Sequence, residues 1–207
     1  MNFKTEQEEF WAGDFGTEYI NRNNSAQMLA SNLAFFSEVF KHTGSIASII
    51  EFGSNIGMNI RAIRQLLPNA NLSAIEINKN AAEKLKEISN LTVYNHSILD
   101  FVPDEQRDFV FTKGVLIHIN PDFLPKVYEA LYNTSNNFIL VAEYYNPTPM
   151  EINYRGHTNK LFKRDFAGDL LKKYSDLKLV SYGFVYRYDN LFPQDDCTWF
   201  LLKKVKG

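Results

Sequence analysis

The sequence predicts an α/β fold in which a mostly parallel, seven-stranded sheet carries helices on both faces and has its last strand reversed. Three observations predict it. From residue 46 onward, short apolar runs alternate with amphipathic helical segments. The first of these runs ends in a glycine turn that leads into a helix, and the last two runs have no helix between them. Because 207 residues suffice for one hydrophobic core, we expect one structural domain.

The composition is that of an ordinary globular protein, with 45% apolar and 22% charged residues. A formal charge of -2 argues against a broad surface for nucleic acid, and the apolar runs are too short to span a membrane. The single cysteine, Cys197, cannot form an intrachain disulfide or a zinc site by itself. The first ten residues contain three glutamates and lack the apolar core of a secretory signal, so we expect a cytoplasmic protein.

Residues 5–40 have mostly helical character and precede the first predicted strand. They include aromatic residues at helical spacing, namely Phe10, Trp11, Phe15 and Tyr19. We expect residues 1–40 to form a lid or a helical layer on the sheet, and residues 41–207 to form the main part of the domain.

The alternation of periods continues from residue 46 to residue 143. Strand patterns occur at residues 46–52, 72–77, 91–94, 109–112 and 138–143. Helical patterns occur at residues 59–67, 79–88 and 123–132. Strands that alternate with helices predict a parallel sheet with right-handed crossovers.

The remaining residues predict the reversed strand. A long polar connection at residues 144–164 leads to a helix at 166–174, and strands follow at 177–187 and 198–204. The stretch between these two strands contains Pro193 and shows no helical pattern. Without a helical crossover, the two strands are expected to be antiparallel neighbours.

The turn after the first strand contains Gly53 and Gly57. A glycine at this place in a doubly wound sheet lets the backbone pass close to a ligand, although two glycines alone fit a tight turn equally well. Glu76 ends the second strand about 20 residues later, where an acid binds ribose hydroxyls. We therefore expect a ligand with an adenosine-like ribose. Asn55 stands where a dinucleotide fingerprint has glycine, which disfavours NAD and FAD.

These features resemble the class I S-adenosylmethionine-dependent methyltransferases, which have a Rossmann-like fold with a reversed last strand. The residues that carry the resemblance are the acid-x-Gly-x-x-x-Gly turn at Glu51, Gly53 and Gly57, the acid Glu76, and residues 95–100 and 108–120. Nearly the whole chain is also similar to a narrower group, the methylases associated with pseudaminic acid biosynthesis. That similarity is carried by residues 5–16, 112–121, 142–147, 154–157, 161–168 and 192–200.

The resemblance implies that S-adenosylmethionine is the cofactor and S-adenosylhomocysteine the product. It implies that Glu76 binds the ribose, that Gly53 approaches the methionine part, and that Lys113 offers its backbone carbonyl to the ammonium group. The cofactor-binding residues implied are Glu51, Gly53, Asn55, Gly57, Glu76, Ser97, Ile98, Lys113, Trp11 and Tyr19. Aromatic rings at the spacing of the last two are also typical of a core.

The catalytic demands of such an enzyme are modest, because a sulfonium already carries a good leaving group. A hydroxyl acceptor needs a base, whereas a neutral amine can lose its proton after attack. The candidate catalytic residues are His157, His118 and Tyr145. A histidine like His118 is also often a hydrogen-bonded part of a helical turn.

The connection at residues 144–164 is the expected substrate-binding loop, because long connections at the functional edge often bind ligands. Its cationic bias suits a carboxylate or a phosphate, although a solvated basic surface also explains its lysines. The candidate substrate-binding residues are Tyr144, Asn146, Arg155 and Arg164. Asp195 and Asp196 are adjacent on an extended chain and should point to opposite faces, so we expect no metal site.

The narrower resemblance implies that the substrate is a small anionic sugar or a nucleotide-linked precursor of a surface glycan. Three alternatives stay open. The acceptor could be another glycan building block, such as a phosphoramidate or an amino sugar. The chain could instead be a cofactor-binding scaffold or regulator without turnover, or an NAD-dependent sugar enzyme. We expect no nucleic-acid or membrane partner, and a homodimer is left open.

Overall fold

A seven-stranded sheet forms the centre of the computed structural model, which describes residues 2–20, 22 and 24–205. In chain order, the strands are β1 (Ser48–Phe52), β2 (Asn71–Ile75), β3 (Leu91–Tyr94), β4 (Arg107–Lys113), β5 (Ser135–Glu143), β6 (Met150–Tyr154), β7 (His157–Lys163), β8 (Leu177–Val185) and β9 (Cys197–Lys204). The helices are α1 (Glu6–Ala12), α2 (Asp14–Ile20), α3 (Ala26–Phe40), α4 (Met58–Leu66), α5 (Lys79–Lys86), α6 (Leu124–Thr134) and α7 (Phe166–Lys173).

The order of strands in the sheet is β3-β2-β1-β4-β5-β9-β8. The first five strands of this order are parallel, and β9 is antiparallel to both of its neighbours. The predicted fold class is therefore confirmed, including the reversed last strand. That strand lies inside the sheet, between β5 and β8. It is antiparallel to β8 because the chain returns from β8 without a crossover.

Two hydrophobic layers cover the sheet, one on each face. Helices α3, α4 and α5 pack on the face that carries Phe109 and Phe111 of β4. Helices α6 and α7 pack on the opposite face, against Val110 of the same strand. Alternate residues of β4 thus enter different layers, as expected for a strand buried on both faces.

Residues 144–164 are not the loop that the sequence predicts. Strands β6 and β7 form a separate two-stranded antiparallel sheet, joined by Arg155 and Gly156. Both of these residues have positive φ, 52° and 86°, which is typical of a type I′ hairpin turn. Arginine is rare at such a position, so the turn lacks the usual sequence pattern. We name β6, the turn and β7 the β6–β7 hairpin.

The N-terminal helices α1 and α2 lie between the sheet and the β6–β7 hairpin. The side-chain Nδ2 of Asn78 donates to the carbonyl of Trp11 over 3.1 Å, and the side chain of Gln7 donates to the carbonyl of Asn159 over 2.9 Å. The segment is therefore anchored on both sides. Its role as a lid separate from the domain at 41–207 stays a prediction. None of the helices in the described part of the chain has the length and apolarity needed to cross a membrane.

Candidate functional site

A cavity of about 620 Å³ opens at the carboxyl ends of β1, β2 and β4, beneath α1 and α2. Ligands of open α/β sheets bind at this edge. The wall includes these predicted site residues: Trp11, Tyr19, Gly53, Asn55, Glu76, Ser97, Ile98, Lys113, His118, Tyr144 and Arg155. The structure places Glu51, Gly57, Tyr145, Asn146, His157 and Arg164 outside the wall.

Gly53 provides the close approach expected of the turn after β1. Its φ is +79°, and a Cβ atom here would lie 2.7 Å from the side chain of Val115. Its amide donates to the carbonyl of Ile75 over 2.9 Å, which fixes the turn against β2. A larger residue at this position would strain the backbone and fill space beside the cavity.

Glu76 is the acidic group in the wall next to this turn, and its side chain is almost fully buried. Its Oε2 accepts a hydrogen bond from the amide of Asn55 over 2.7 Å, and its Oε1 accepts one from the amide of Asn78 over 2.7 Å. Burial raises the pKa of this carboxyl group, whereas the hydrogen bonds from the two backbone amides lower it by a smaller amount. Each oxygen retains a lone pair for a further donor.

Ser97 connects the third strand to the N-terminal segment. Its hydroxyl group donates to the carboxylate of Glu8 in α1 and accepts from the amide of Leu99 over 2.9 Å. Glu8 also belongs to the capping box of Thr5, so the start of α1 is fixed against the loop after β3. The neighbouring Ile98 adds an apolar surface to the cavity.

Trp11 forms the centre of an aromatic roof over the cavity. Its ring centroid lies 5.3 Å from that of Tyr19, 4.6 Å from that of His118 and 6.4 Å from that of Tyr154. Its indole nitrogen is buried and has no hydrogen-bond partner among the described residues. A ring with an unused donor in a cavity wall can both exclude water and bind a polar ligand atom.

The two candidate histidines occupy different environments. His118 is buried, and its Nδ1 lies 2.6 Å from the carbonyl of Lys160. Burial lowers the pKa of His118 to about 4, so the ring is neutral and its Nδ1 donates to that carbonyl. The other nitrogen, Nε2, is then an acceptor. His157 is exposed in the β6–β7 hairpin, and its ring lies 5.0 Å from that of Phe10.

The predicted substrate residues separate into two groups. Tyr144 and Arg155 line the cavity, and the guanidinium of Arg155 lies 5.7 Å from the ring of Tyr154. Burial raises the pKa of Tyr144, and the nearby negative charge of Asp195 raises it further. The other two lie elsewhere, since Asn146 donates to the carbonyl of Thr148 and Arg164 pairs with Asp169. Tyr145, a predicted catalytic residue, also lies outside the cavity and packs on Phe200.

Two buried acids lie just behind the wall. Glu51 accepts a hydrogen bond from Asn59 over 2.6 Å, and its other oxygen has no partner within the part of the chain that the structure describes. Glu143 accepts from the amides of Val115 and Leu116 over 3.1 and 3.0 Å. Burial raises the pKa of each carboxyl group to about 7. Glu143 is not among the site residues predicted from the sequence, although its position at the end of a buried strand indicates it.

The cavity also has walls that no sequence pattern indicated. Ser31 and Asn32 of α3 and Gln194 of the β8–β9 connection line it. Gln194 donates to the carbonyl of Ser31 over 2.7 Å, so the two elements are joined there.

No protein-family model matches the sequence, and a search of curated proteins finds no match. Solved structures do match. The 1,6-didemethyltoxoflavin-N1-methyltransferase of Burkholderia thailandensis, which has 1,6-didemethyltoxoflavin and S-adenosylhomocysteine bound, aligns with a TM-score of 0.74 at 12% identity over 100% of this chain and 92% of its own. The magnesium protoporphyrin IX methyltransferase of Synechocystis, with S-adenosylmethionine bound, aligns with a TM-score of 0.68 at 11% identity over 99% and 100%. The chain has the class I methyltransferase fold.

One of the matching structures is longer than the part that aligns with this chain. Mitomycin 7-O-methyltransferase aligns with a TM-score of 0.70 at 12% identity over 97% of this chain, which spans 61% of the length of that protein. Identities this low show the fold alone. The narrower resemblance to methylases associated with pseudaminic acid biosynthesis stays a prediction.

Proposed function

We propose that the chain is an S-adenosylmethionine-dependent methyltransferase that modifies a small, anionic sugar or a nucleotide-linked precursor of a surface glycan in the cytoplasm. The observation that carries the proposal is one cavity that unites Glu76, the Gly53 turn and Ser97 with Ile98. The Gly53 turn follows β1, Glu76 follows β2, and Ser97 with Ile98 follows β3, and these three strands are neighbours in the sheet. The cofactor needs partners in this order, because its ribose lies between its methionine part and its adenine.

The residues present fit this cofactor. Glu76 has lone pairs for two ribose hydroxyls, Ile98 offers an apolar surface to the adenine, and Gly53 allows the close approach of the remaining part. Asn55 at φ 47° projects from the turn where a dinucleotide would need a glycine for its pyrophosphate. S-adenosylmethionine is therefore favoured over NAD.

The cofactor supplies an activated methyl group on its sulfonium, so this chain must mainly orient the acceptor and exclude water. Trp11 and Tyr19 cover the cavity, which keeps water from the reacting atoms. His118 presents Nε2 as an acceptor, because its Nδ1 is held by the carbonyl of Lys160. We assign to His118 the role of orienting the acceptor and receiving its proton.

Replacing His118 by alanine is expected to lower kcat/KM by about tenfold, the modest loss expected for a weak base, while affinity for S-adenosylhomocysteine changes little. With a pKa of about 4, the wild-type base stays deprotonated above pH 5, so activity should not fall between pH 8 and pH 5 through this group. An ordinary imidazole would lose activity below about pH 6.5. Steady-state rates across this range provide the measurement.

His157→Ala is the matched control, because His157 is exposed and lies outside the cavity wall. It should retain at least about half of the activity. A large loss in this variant together with full activity in His118→Ala would reverse the assignment and place the base on the β6–β7 hairpin.

The anionic substrate is supported by Arg155 at the rim of the cavity and by the narrower sequence resemblance. The guanidinium of Arg155, which lies over the ring of Tyr154, presents a planar set of donors that suits a carboxylate or a phosphate. Tyr144 offers a hydroxyl group in the same wall.

The proposed function is tested with methyl-labelled cofactor and extracts from cells that make the glycan or lack it. A labelled sugar or nucleotide-linked product, identified by mass spectrometry only in the extract from cells that make the glycan, would support the proposal. A labelled product of another chemical class would correct the substrate alone. Tight binding of S-adenosylhomocysteine without any labelled product would favour a cofactor-binding scaffold, and micromolar binding of NAD would contradict the cofactor.

A further inference from the structure

Lys113 is the last residue of β4, and it lies directly beside the glycine turn. In the parallel pair of β1 and β4, Glu51 is opposite Phe111. Two residues further along both strands, Gly53 therefore lies beside Lys113. The lysine is thus next to the point at which the backbone allows a ligand to come closest.

The side chain of Lys113 points toward α3. It continues the row of Phe109 and Phe111 on that face of β4, because alternate strand residues share a face. Its Nζ lies 3.3 Å from Oδ1 of Asn32 and 5.5 Å from the ring centroid of Phe35, both in α3. The charge is therefore held at the wall of the cavity.

Lys113 differs from the other cationic side chains of that wall. Arg22 and Arg155 are exposed, and Arg187 pairs with Asp196. Lys113 is half-buried and forms no ion pair with any described carboxylate. Burial lowers its pKa, although several more distant acids oppose that effect. An anionic ligand would stabilise such a half-buried ammonium group, because the group has no ion-pair partner among the described residues.

Ser31 supplies a second unused group beside Asn32. Its side chain is 1% exposed, its hydroxyl oxygen has no hydrogen-bond partner among the residues described, and it lines the cavity. Buried hydroxyl groups are normally hydrogen-bonded, so this oxygen indicates a place for a polar ligand atom.

We propose that the Lys113 ammonium group, supported by Asn32 and Ser31, binds the carboxylate at the methionine end of the cofactor. The inference rests on the proposed function. A ligand whose ribose is bound by Glu76 at β2 and which passes Gly53 at β1 reaches β4 next. Its carboxylate then meets a side chain of opposite charge.

The test compares two ligands that differ in the amino-acid part. S-adenosylhomocysteine carries the carboxylate, and 5′-methylthioadenosine has the same nucleoside without it. In Lys113→Met, calorimetry should show affinity for S-adenosylhomocysteine at least about tenfold lower, because a charge-assisted contact is lost. Affinity for 5′-methylthioadenosine should stay within about twofold of the wild-type value.

Lys84→Met is the matched control, since Lys84 is exposed and pairs with Glu87 on α5. It removes one positive charge from the surface and should change neither affinity. Thermal unfolding shows whether Lys113→Met is folded, and Ser31→Ala provides a milder variant, with a smaller loss for S-adenosylhomocysteine alone.

Unchanged affinity for S-adenosylhomocysteine in folded Lys113→Met would overturn the inference and leave the proposed function intact. An equal loss for both ligands would also overturn it, because the damage would then lie at the nucleoside. A wild-type protein that binds neither ligand would overturn the inference together with the proposed function.

Discussion

Replacing Glu76 by alanine is expected to weaken binding of S-adenosylhomocysteine by more than about a hundredfold. The variant loses two charge-assisted hydrogen bonds to the ribose, worth on the order of 3 kcal/mol together. In contrast to the substitution at Lys113, this loss should be the same for 5′-methylthioadenosine, since both ligands carry the ribose. Calorimetry with the two ligands measures it.

Glu76 also supports the protein itself, because it accepts hydrogen bonds from the amides of Asn55 and Asn78. Thermal unfolding must therefore accompany the binding measurement. Glu76→Gln keeps one carbonyl oxygen and should lose less affinity than Glu76→Ala. Glu87→Ala on the surface of α5 controls for the change in charge and should leave both affinities unchanged. Full affinity in a folded Glu76→Ala protein would remove Glu76 from the ribose site.

The free energy of unfolding is expected to fall as pH rises from about 4.5 to about 7, through the ionisation of Glu51. Burial raises the pKa of this carboxyl group from the ordinary 4.5 to about 7 in the folded chain. The protonated form is therefore favoured by folding. Its stabilising effect is fully present below pH 4.5 and is lost as pH rises through 7, by about 3 kcal/mol in total.

Glu51→Gln isolates this contribution, because the amide keeps the shape of the side chain and an oxygen for Asn59. Urea unfolding at several pH values should show a flatter dependence in the variant. Glu143, whose pKa is also raised by burial to about 7, contributes with the same sign and remains in both proteins. Glu83→Gln, on the surface of α5, should leave the wild-type dependence unchanged between about pH 5 and pH 7, because the hydrogen bond from Lys86 lowers the pKa of Glu83 and places its titration below this range. An identical pH dependence in wild type and Glu51→Gln would show that Glu51 is not the titrating group.

The sheet could be predicted because its strands and helices leave local periodic patterns. The position of β9 inside the sheet could not, since it depends on which strands pair. The β6–β7 hairpin was missed for two reasons. Only β6 alternates apolar and polar residues, through Met150, Ile152 and Tyr154, whereas β7 does not, and the turn uses Arg155 at positive φ.

The cofactor side of the site was more accessible to sequence reasoning than the acceptor side. Gly53 and Glu76 follow strands directly, so the fold class alone indicates that they meet. Ser31 is in the middle of a helix and Gln194 in a connection, and only tertiary packing directs them to the cavity. The two histidines differ in burial, which a single sequence does not reveal.

The place of β9 between β5 and β8 has a consequence for the synthesis of the protein. Until this segment has left the ribosome, the nascent sheet has an open edge at β5, and β8 has no partner. Chains that end at Asp196 should therefore aggregate or be retained by chaperones, whereas loss of residues 205–207 should have little effect. Soluble yield and sedimentation of the two truncated proteins measure this difference, and equal yields would show that the first five strands form a stable sheet without β9.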